Sequence, residues 1–299
     1  MSTMTGQTVV VGVDGSDRGR QAVRWAAAAA GLRDAPLRLV HAVPMPAGYP
    51  PGIVDWHNLR DALETQGRAW LEEARVAAGQ AVPGLRVEVA LEVAPAVVTL
   101  LGESRRAGLL VLGSRGLGGF TGLLVGSTSV ELAAHAHCPV VVVPDQQAED
   151  ALPAGGPVIV GVDGTPAGEA AIEFAFAEAA RRRSDLVAVH AWSDLLLEVA
   201  FAGAADALEI SRVAEQAREL LAERLAGRPA DYPDVRVTRE VVHSHPTRAL
   251  LRHAAGAQLV VVGSRGRGGF TGLLLGSTSQ HLLHHAQCPV AVVRTQPSG

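Results

Sequence analysis

The chain has 299 residues, room for two ordinary domains, and a globular composition of 48% hydrophobic and 19% charged residues. Its net charge of -4 leaves no basic footprint for nucleic acid or for an anionic membrane surface. The opening MSTMTGQTVVVGVDGS has no basic region followed by an apolar stretch, and no unbroken apolar run is long enough to cross a bilayer. A cytoplasmic protein with neither signal peptide nor transmembrane helix is therefore expected.

The β-branched run VVVGVD, from Val9, ends in a turn at Asp14, and Ser16 is placed to cap a helix over 17–31. A short apolar strand, LRLVHAV, carries His41 and Ala42. The connection PMPAGYPPGIVDW leads to a longer helix at about 58–79, a strand RVEVALEV, and a helix starting near Pro95. The strand LLVLG runs into GSRGLGGFTGLLVGSTS at 113–129, and a short helix and the strand PVVVV follow. The segment DQQAEDALPAGGP, 145–157, is polar and then rich in Pro and Gly, and reads as a linker.

The order then repeats. VIVGVDGT carries Asp163, with Thr165 expected as helix cap and Pro166 in the first turn, where a missing N–H costs nothing. LVAVHAW carries His190 and Ala191, and the more helical connection SDLLLEVAFAGAADA precedes a helix at about 206–226. The strand RVTREVV, a helix from near Pro246, the strand LVVVG, the run GSRGRGGFTGLLLGSTS at 263–279 and the strand PVAVV complete the second half.

The two glycine runs start 150 residues apart, at 113 and 263, and differ only at Leu117/Arg267 and Val125/Leu275. Cys138 and Cys288 keep that spacing, while His41 and His190 lie 149 apart. A period this long marks two complete domains, placed at 1–147 and 154–299, rather than solenoid repeats. Alternating strands and helices, with first, fourth and fifth strands apolar throughout, predict an open, mostly parallel, doubly wound sheet with right-handed crossovers in each. Periodicity leaves the order at one edge open between 2-1-3 and 3-2-1. Either order reverses direction once, and ligands bind at such a reversal beyond the carboxyl ends of the strands.

Gly113 ends the fourth strand, Gly116 follows, and Gly126-Ser127-Thr128 opens a helix. Free N–H groups, the positive end of the helix dipole and two hydroxyls make a cradle for phosphates. No Lys stands where a Walker A loop needs one, and the glycines follow the fourth strand rather than the first, unlike a dinucleotide fingerprint. A ligand-free surface loop is the bland alternative; two nearly identical copies weigh against it. Asp14 and Asp163 suit ribose hydroxyls or an adenine amine, or else close an Asx turn with the residues that follow. Arg115 and Arg265 either neutralise phosphate charge or are solvated, and Arg267 adds positive charge to the second site.

The remaining candidates read as structural. Cys138 and Cys288 are expected as small buried side chains, not a disulfide. His41 and His190 are expected to be packed and hydrogen-bonded. His281 and His285, four apart on a helix, are expected to form a solvated face rather than a metal site. His135 and His137 are placed on the equivalent helix of the first half, and His243 and His245 flank a strand end without a role. No GxSxG, no HExxH and no base beside the phosphates is present, so no catalytic residue and no metal ligand is assigned.

VGVDGS, LVHAV, VLGSRG and G-x2-G-x9-G-S-T, in that order and in both halves, resemble the universal stress protein family in its ATP-binding, tandem two-domain form, common in actinobacteria. The resemblance implies a five-stranded parallel sheet of order 3-2-1-4-5, with the fifth strand at an edge used for pairing. It implies one ATP per domain, alone or with Mg2+. Val13 and Asp14 would contact the nucleoside, the Ala42 backbone the adenine, and Gly113, Gly116, Gly126, Ser127 and Thr128 the phosphates, with Arg115 alongside. In the second half the same roles fall to Val162, Asp163, Ala191, Gly263, Gly266, Gly276, Ser277 and Thr278, with Arg265. One departure is Gly108 and Gln258, where the family often has Asp; a local turn is affected. The implied function is a non-enzymatic regulator or sensor in stress or dormancy. A slow ATPase or phosphotransferase using the same residues, and a ligand-free interaction module, are the competing readings. Pairing of the halves through 139–143 and 289–293, a homodimer and an unidentified protein partner are also expected.

Overall fold

In the first half, β1 (Val9–Gly12), β2 (Leu37–Ala42), β3 (Val87–Glu92), β4 (Leu109–Gly113) and β5 (Val140–Val143) alternate with α1 (Asp17–Gly31), α2 (Trp56–Ala81), α3 (Ala96–Ser104) and α4 (Ser127–His135). The structure, a computed structural model, describes residues 8–44, 55–114, 125–145, 155–192, 207–266 and 275–295. Most of both expected connections, 45–54 and 193–206, and of the linker, 146–154, lie outside the described residues. The chain divides into two compact units, Met1–Asp145 and Gln146–Gly299.

Within the first unit the strand order is β3-β2-β1-β4-β5, and every pair is parallel. β1 lies between β2 and β4, with Val9 opposite both Leu37 and Leu109. This settles the edge that periodicity left open: the chain runs outward through β2 and β3, then returns to the far side of β1. Right-handed crossovers then require the first two helices on one face and the next two on the other. The packing agrees: α1 and α2 lie on each other and on β1, β2, β3 and β4, while α3 packs on α4, β1 and β2.

Side-chain chemistry explains the placement. Val9–Val11, Leu109–Leu112 and Val140–Val143 are buried along their whole length, as strands covered on both faces must be. β3 (VEVALE) is less buried and leaves Val89 51% exposed, in keeping with an edge strand carrying Glu88 and Glu92. Ser16 caps α1 by accepting from the Gly19 N–H at 2.9 Å, and Asp55 caps α2 by accepting from His57 and Asn58 N–H. α2 buries Gly67, Leu71, Ala74, Ala77 and Ala78, one stripe at helical spacing.

The second unit repeats the plan with β6 (Val158–Gly161), α5 (Glu169–Arg182), β7 (Leu186–Ala191), α6 (Ala207–Leu225), the short α7 (Arg228–Asp231), β8 (Val237–Val242), α8 (Pro246–Ala254), β9 (Leu259–Gly263), α9 (Ser277–His285) and β10 (Val290–Val293). Its order is β8-β7-β6-β9-β10, again parallel. At the departure from the family pattern, the Gln258 side chain donates to the Gly156 carbonyl at 2.6 Å.

Cys138 and Cys288 are free and buried, each in the turn that enters the last strand of its unit. Burial pushes both thiols up to about 12 from an ordinary 9.0. Native protein at pH 8 is expected to leave both thiols unreactive toward Ellman's reagent, and denatured protein to titrate both. Because the folded values are the raised ones, the thiols contribute stability fully below pH 9.0 and lose it as the pH climbs toward about 12. An alkaline urea titration checks that sign.

Candidate functional site

The carboxyl ends of β1, β2 and β4 meet where the strand order reverses, and the repeated motifs end there. Asp14 leaves β1 in a turn closed by its own carboxylate: Asp14 Oδ1 accepts from the Ser16 N–H at 3.0 Å and from Ser16 Oγ at 2.7 Å. The Asx turn is thus formed, and it anchors the carboxylate at the strand end. Gly15 has φ +80, and a Cβ on it would lie 2.2 Å from the Trp70 ring, so α2 sits directly on the turn. Trp70 in turn meets His41 edge-on, with ring centroids 5.3 Å apart.

His41 performs a distinct task. Its Nδ1 lies 2.7 Å from the Val13 carbonyl oxygen. A carbonyl only accepts, so Nδ1 carries the proton and donates. The Val13 N–H donates to the Val40 carbonyl at 2.8 Å, so both polar groups of the residue before Asp14 are held by β2. The second unit matches: His190 Nδ1 is 2.6 Å from the Val162 carbonyl oxygen, and the Val162 N–H donates to Val189 at 2.9 Å. Both imidazoles are buried, as the sequence suggested.

Thr165 departs from expectation. Its N–H and Oγ1 donate to Asp163 Oδ1 at 2.9 and 2.8 Å, and it makes no side-chain cap. Pro166 opens a 3-10 turn, Pro166–Gly168, in which the Gly168 N–H donates to the Thr165 carbonyl at 3.0 Å. That amide is therefore taken by backbone, and α5 starts only at Glu169.

The glycine run is closed at its neck. Gly126 N–H donates to the Ser114 carbonyl at 2.7 Å, and Gly276 N–H to the Ser264 carbonyl at the same distance. A buried serine ties each helix start back to the strand end: Ser129 Oγ donates to the Gly113 carbonyl at 2.9 Å, and Ser279 Oγ to the Ser264 carbonyl at 3.3 Å. With Gly126 as N-cap, the Ser129 and Val130 amides go to the Gly126 carbonyl, while those of Ser127 and Thr128 find no acceptor among the described residues. Ser277 and Thr278 are placed alike at the start of α9. Ser114 Oγ is buried without a partner among the described residues.

In the second unit the aspartate and the glycine run face each other directly. A Cβ on Gly266 would stand 3.1 Å from Asp163 Oδ2. Asp163, Gly263, Gly266 and Gly276 therefore share one crevice, with Ala191 at the end of the strand next to β6. Ala42 has the matching place beside β1. Arg115, Gly116 and Arg267 lie outside the described residues; Arg265 is exposed.

Sequence reasoning missed several groups. Ser129 and Ser279 were visible in the repeated GSTS, but only the fold shows that their hydroxyls reach strand ends. Trp192 stacks on His243, with centroids 4.3 Å apart, across the ends of β7 and β8, whereas Val43 and Val93 stand there in the first unit. His137 is not on α4, which ends at His135; its N–H donates to Ser104 Oγ at 3.1 Å. His281 and His285 do lie together, centroids 4.2 Å apart, and burial, His285 and His245 hold His281 below the usual histidine value. Among the described residues no group of three or more His, Cys, Asp or Glu side chains is arranged to hold a metal, and no helix is long and apolar enough to cross a membrane.

Fold and crevice together define a tandem α/β protein with one switch-point site per unit. The family model for the universal stress protein family matches residues 6–144 and again 156–294. A universal stress protein of Mycobacterium tuberculosis strain H37Rv is 44% identical over 298 residues, spanning 96% of this chain and 96% of that protein. One from Mycolicibacterium smegmatis is 42% identical over 296 residues, with 96% of each covered. The crystal structure of a universal stress protein from Archaeoglobus fulgidus shares the fold, with a TM-score of 0.67 at 19% identity over 96% of each chain. The chain belongs to the universal stress protein family and carries the family's domain twice.

Replacing His190 with Phe keeps a ring but strips the Val162 carbonyl of its donor. The variant is expected to lose about 1–3 kcal/mol of stability, read from urea unfolding.

Proposed function

We propose that each unit holds one ATP, alone or with Mg2+, and that the protein acts in the cytoplasm as a nucleotide-responsive regulator of a stress response. The neck of the glycine run carries this reading. In both units the first amides of the helix after the glycine run have no acceptor among the described residues and stand next to a strand end, which suits an anion. The fit extends to the neighbouring groups. Gly266 has no side chain where a Cβ would crowd Asp163, and the buried Ser114 hydroxyl adds a donor beside the first neck.

In this reading Gly113, Gly126, Ser127 and Thr128, and in the second unit Gly263, Gly266, Gly276, Ser277 and Thr278, hold phosphates. Asp14 and Asp163 take the sugar. The Val13 and Ala42 backbones, with Val162 and Ala191, line the place of the base. Bound Mg2+ would neutralise phosphate charge. The His41 and His190 bonds keep each aspartate's strand end fixed whether or not ligand is present. A ligand that binds only the folded chain stabilises it by mass action, so nucleotide level is converted into stability and surface presented to partners.

Nucleotide released from freshly purified, heat-denatured protein tests the proposal. About two ATP per chain are expected, and ATP at a hundredfold excess over its Kd should add about 2.7 kcal/mol of stability for each occupied site. Protein that releases no nucleotide and takes up none when offered ATP overturns it. Gly19→Ala offers a local check. The new Cβ would lie 2.5 Å from Asp14 Oδ1 and must displace that carboxylate. Affinity at the first site should fall about ten- to a hundredfold, with the second unchanged.

A further inference from the structure

Beyond the last strand of each unit the charges differ. Pro144 and Asp145 follow Val143, whereas Arg294 and Thr295 follow Val293. β10 runs parallel to β9 with Val293 opposite Gly263, and the Ser264 N–H donates to the Val293 carbonyl at 2.9 Å. Arg294 therefore stands level with Ser264, at the rim of the second cradle. Thr295 Oγ1 donates to the Ala167 carbonyl at 3.1 Å, which pins the segment to the turn that follows Asp163.

Arg294 is half-buried, and burial, then the neighbouring Arg265 guanidinium, hold it below the usual arginine value. Arg265 lies inside the glycine run, between Ser264 and Gly266. Neither guanidinium has a carboxylate partner among the described residues. Two like charges, one partly withdrawn from water and without a counter-ion, repel each other until an anion joins them. The first unit has no such pair at these positions: proline carries no charge, and Asp145 is acidic.

We propose that Arg294 sets the specificity of the second site, joining Arg265 to favour ligands by phosphate charge, so that the second site separates ATP from ADP and AMP more steeply than the first. This rests on the nucleotide reading given above and adds a division of labour to it. The first site responds to adenine nucleotides with weaker regard for phosphate number. The second responds to the triphosphate fraction.

Isothermal titration of the full chain with ATP, ADP and AMP tests this, using wild type and Arg294→Gln. Wild type should show two classes of site whose ATP-to-ADP affinity ratios differ about tenfold. In Arg294→Gln the steeper class should lose about tenfold for ATP and almost nothing for AMP, and the other class should not change. Arg294→Lys should restore much of the preference. Pro144→Arg should sharpen the first site, which keeps the idea testable if Arg294→Gln unfolds. Equal ratios at both wild-type sites, or equal losses for ATP and AMP in Arg294→Gln, overturn the role of Arg294 and leave nucleotide binding standing. Failure of wild type to take up any nucleotide overturns the nucleotide reading itself.

Discussion

β1 and β4 lie side by side in register, Val9 against Leu109 and Val11 against Val111, although two strands and three helices separate them in sequence. Everything distinctive about each unit follows from that pairing. It reverses the direction of winding, so the loops after the two strands diverge to opposite faces and leave a crevice between them. It also brings the turn bearing Asp14 beside the glycine run. The apolar content of both strands drives it, since each is covered by helices on both faces and has no polar edge to present to water.

The crevice is rigid where it must be. The hydrogen bond from Gly126 to Ser114 fixes the helix start against the strand end, and its twin from Gly276 to Ser264 has the same length. The two ends of each glycine-rich run are thereby set against the strand that precedes it. The buried imidazoles do the same for the other wall. Each ties the strand end that precedes the aspartate to the neighbouring strand, at the cost of burying a polar ring that the carbonyl then satisfies. An anion placed in the crevice would meet amides that are already oriented, so little ordering remains to be done on binding.

Duplication preserved this framework and changed its surroundings. The strands, the neck bonds and the histidine bonds recur in both units. Around them, Trp70 covers the first aspartate turn, the Trp192–His243 stack stands in the second unit, and Arg294 replaces Pro144 at the cradle rim. The differences thus lie around the strand ends, while the backbone framework of the crevice stays the same.

Much of this was legible in the sequence. The 3.6-residue and continuous-apolar patterns marked the helices and strands, the offset of the glycine runs revealed the duplication, and VDGS and GSTS marked the walls of the site. These are local signals, set by backbone propensity and by which residues can leave water. The strand order was not local: periodicity allows 2-1-3 as well as 3-2-1, and the pairing of β1 with β4 decides between them by long-range burial. Thr165 shows the same limit on a smaller scale, because its hydroxyl serves Asp163 once the neighbouring 3-10 turn has taken the amide it was expected to cap. The serines behind the necks, the carbonyl partners of His41 and His190, and the approach of Arg294 to Arg265 belong to the tertiary structure alone. Each depends on atoms far apart in the chain, and no spacing rule within the sequence carries that distance.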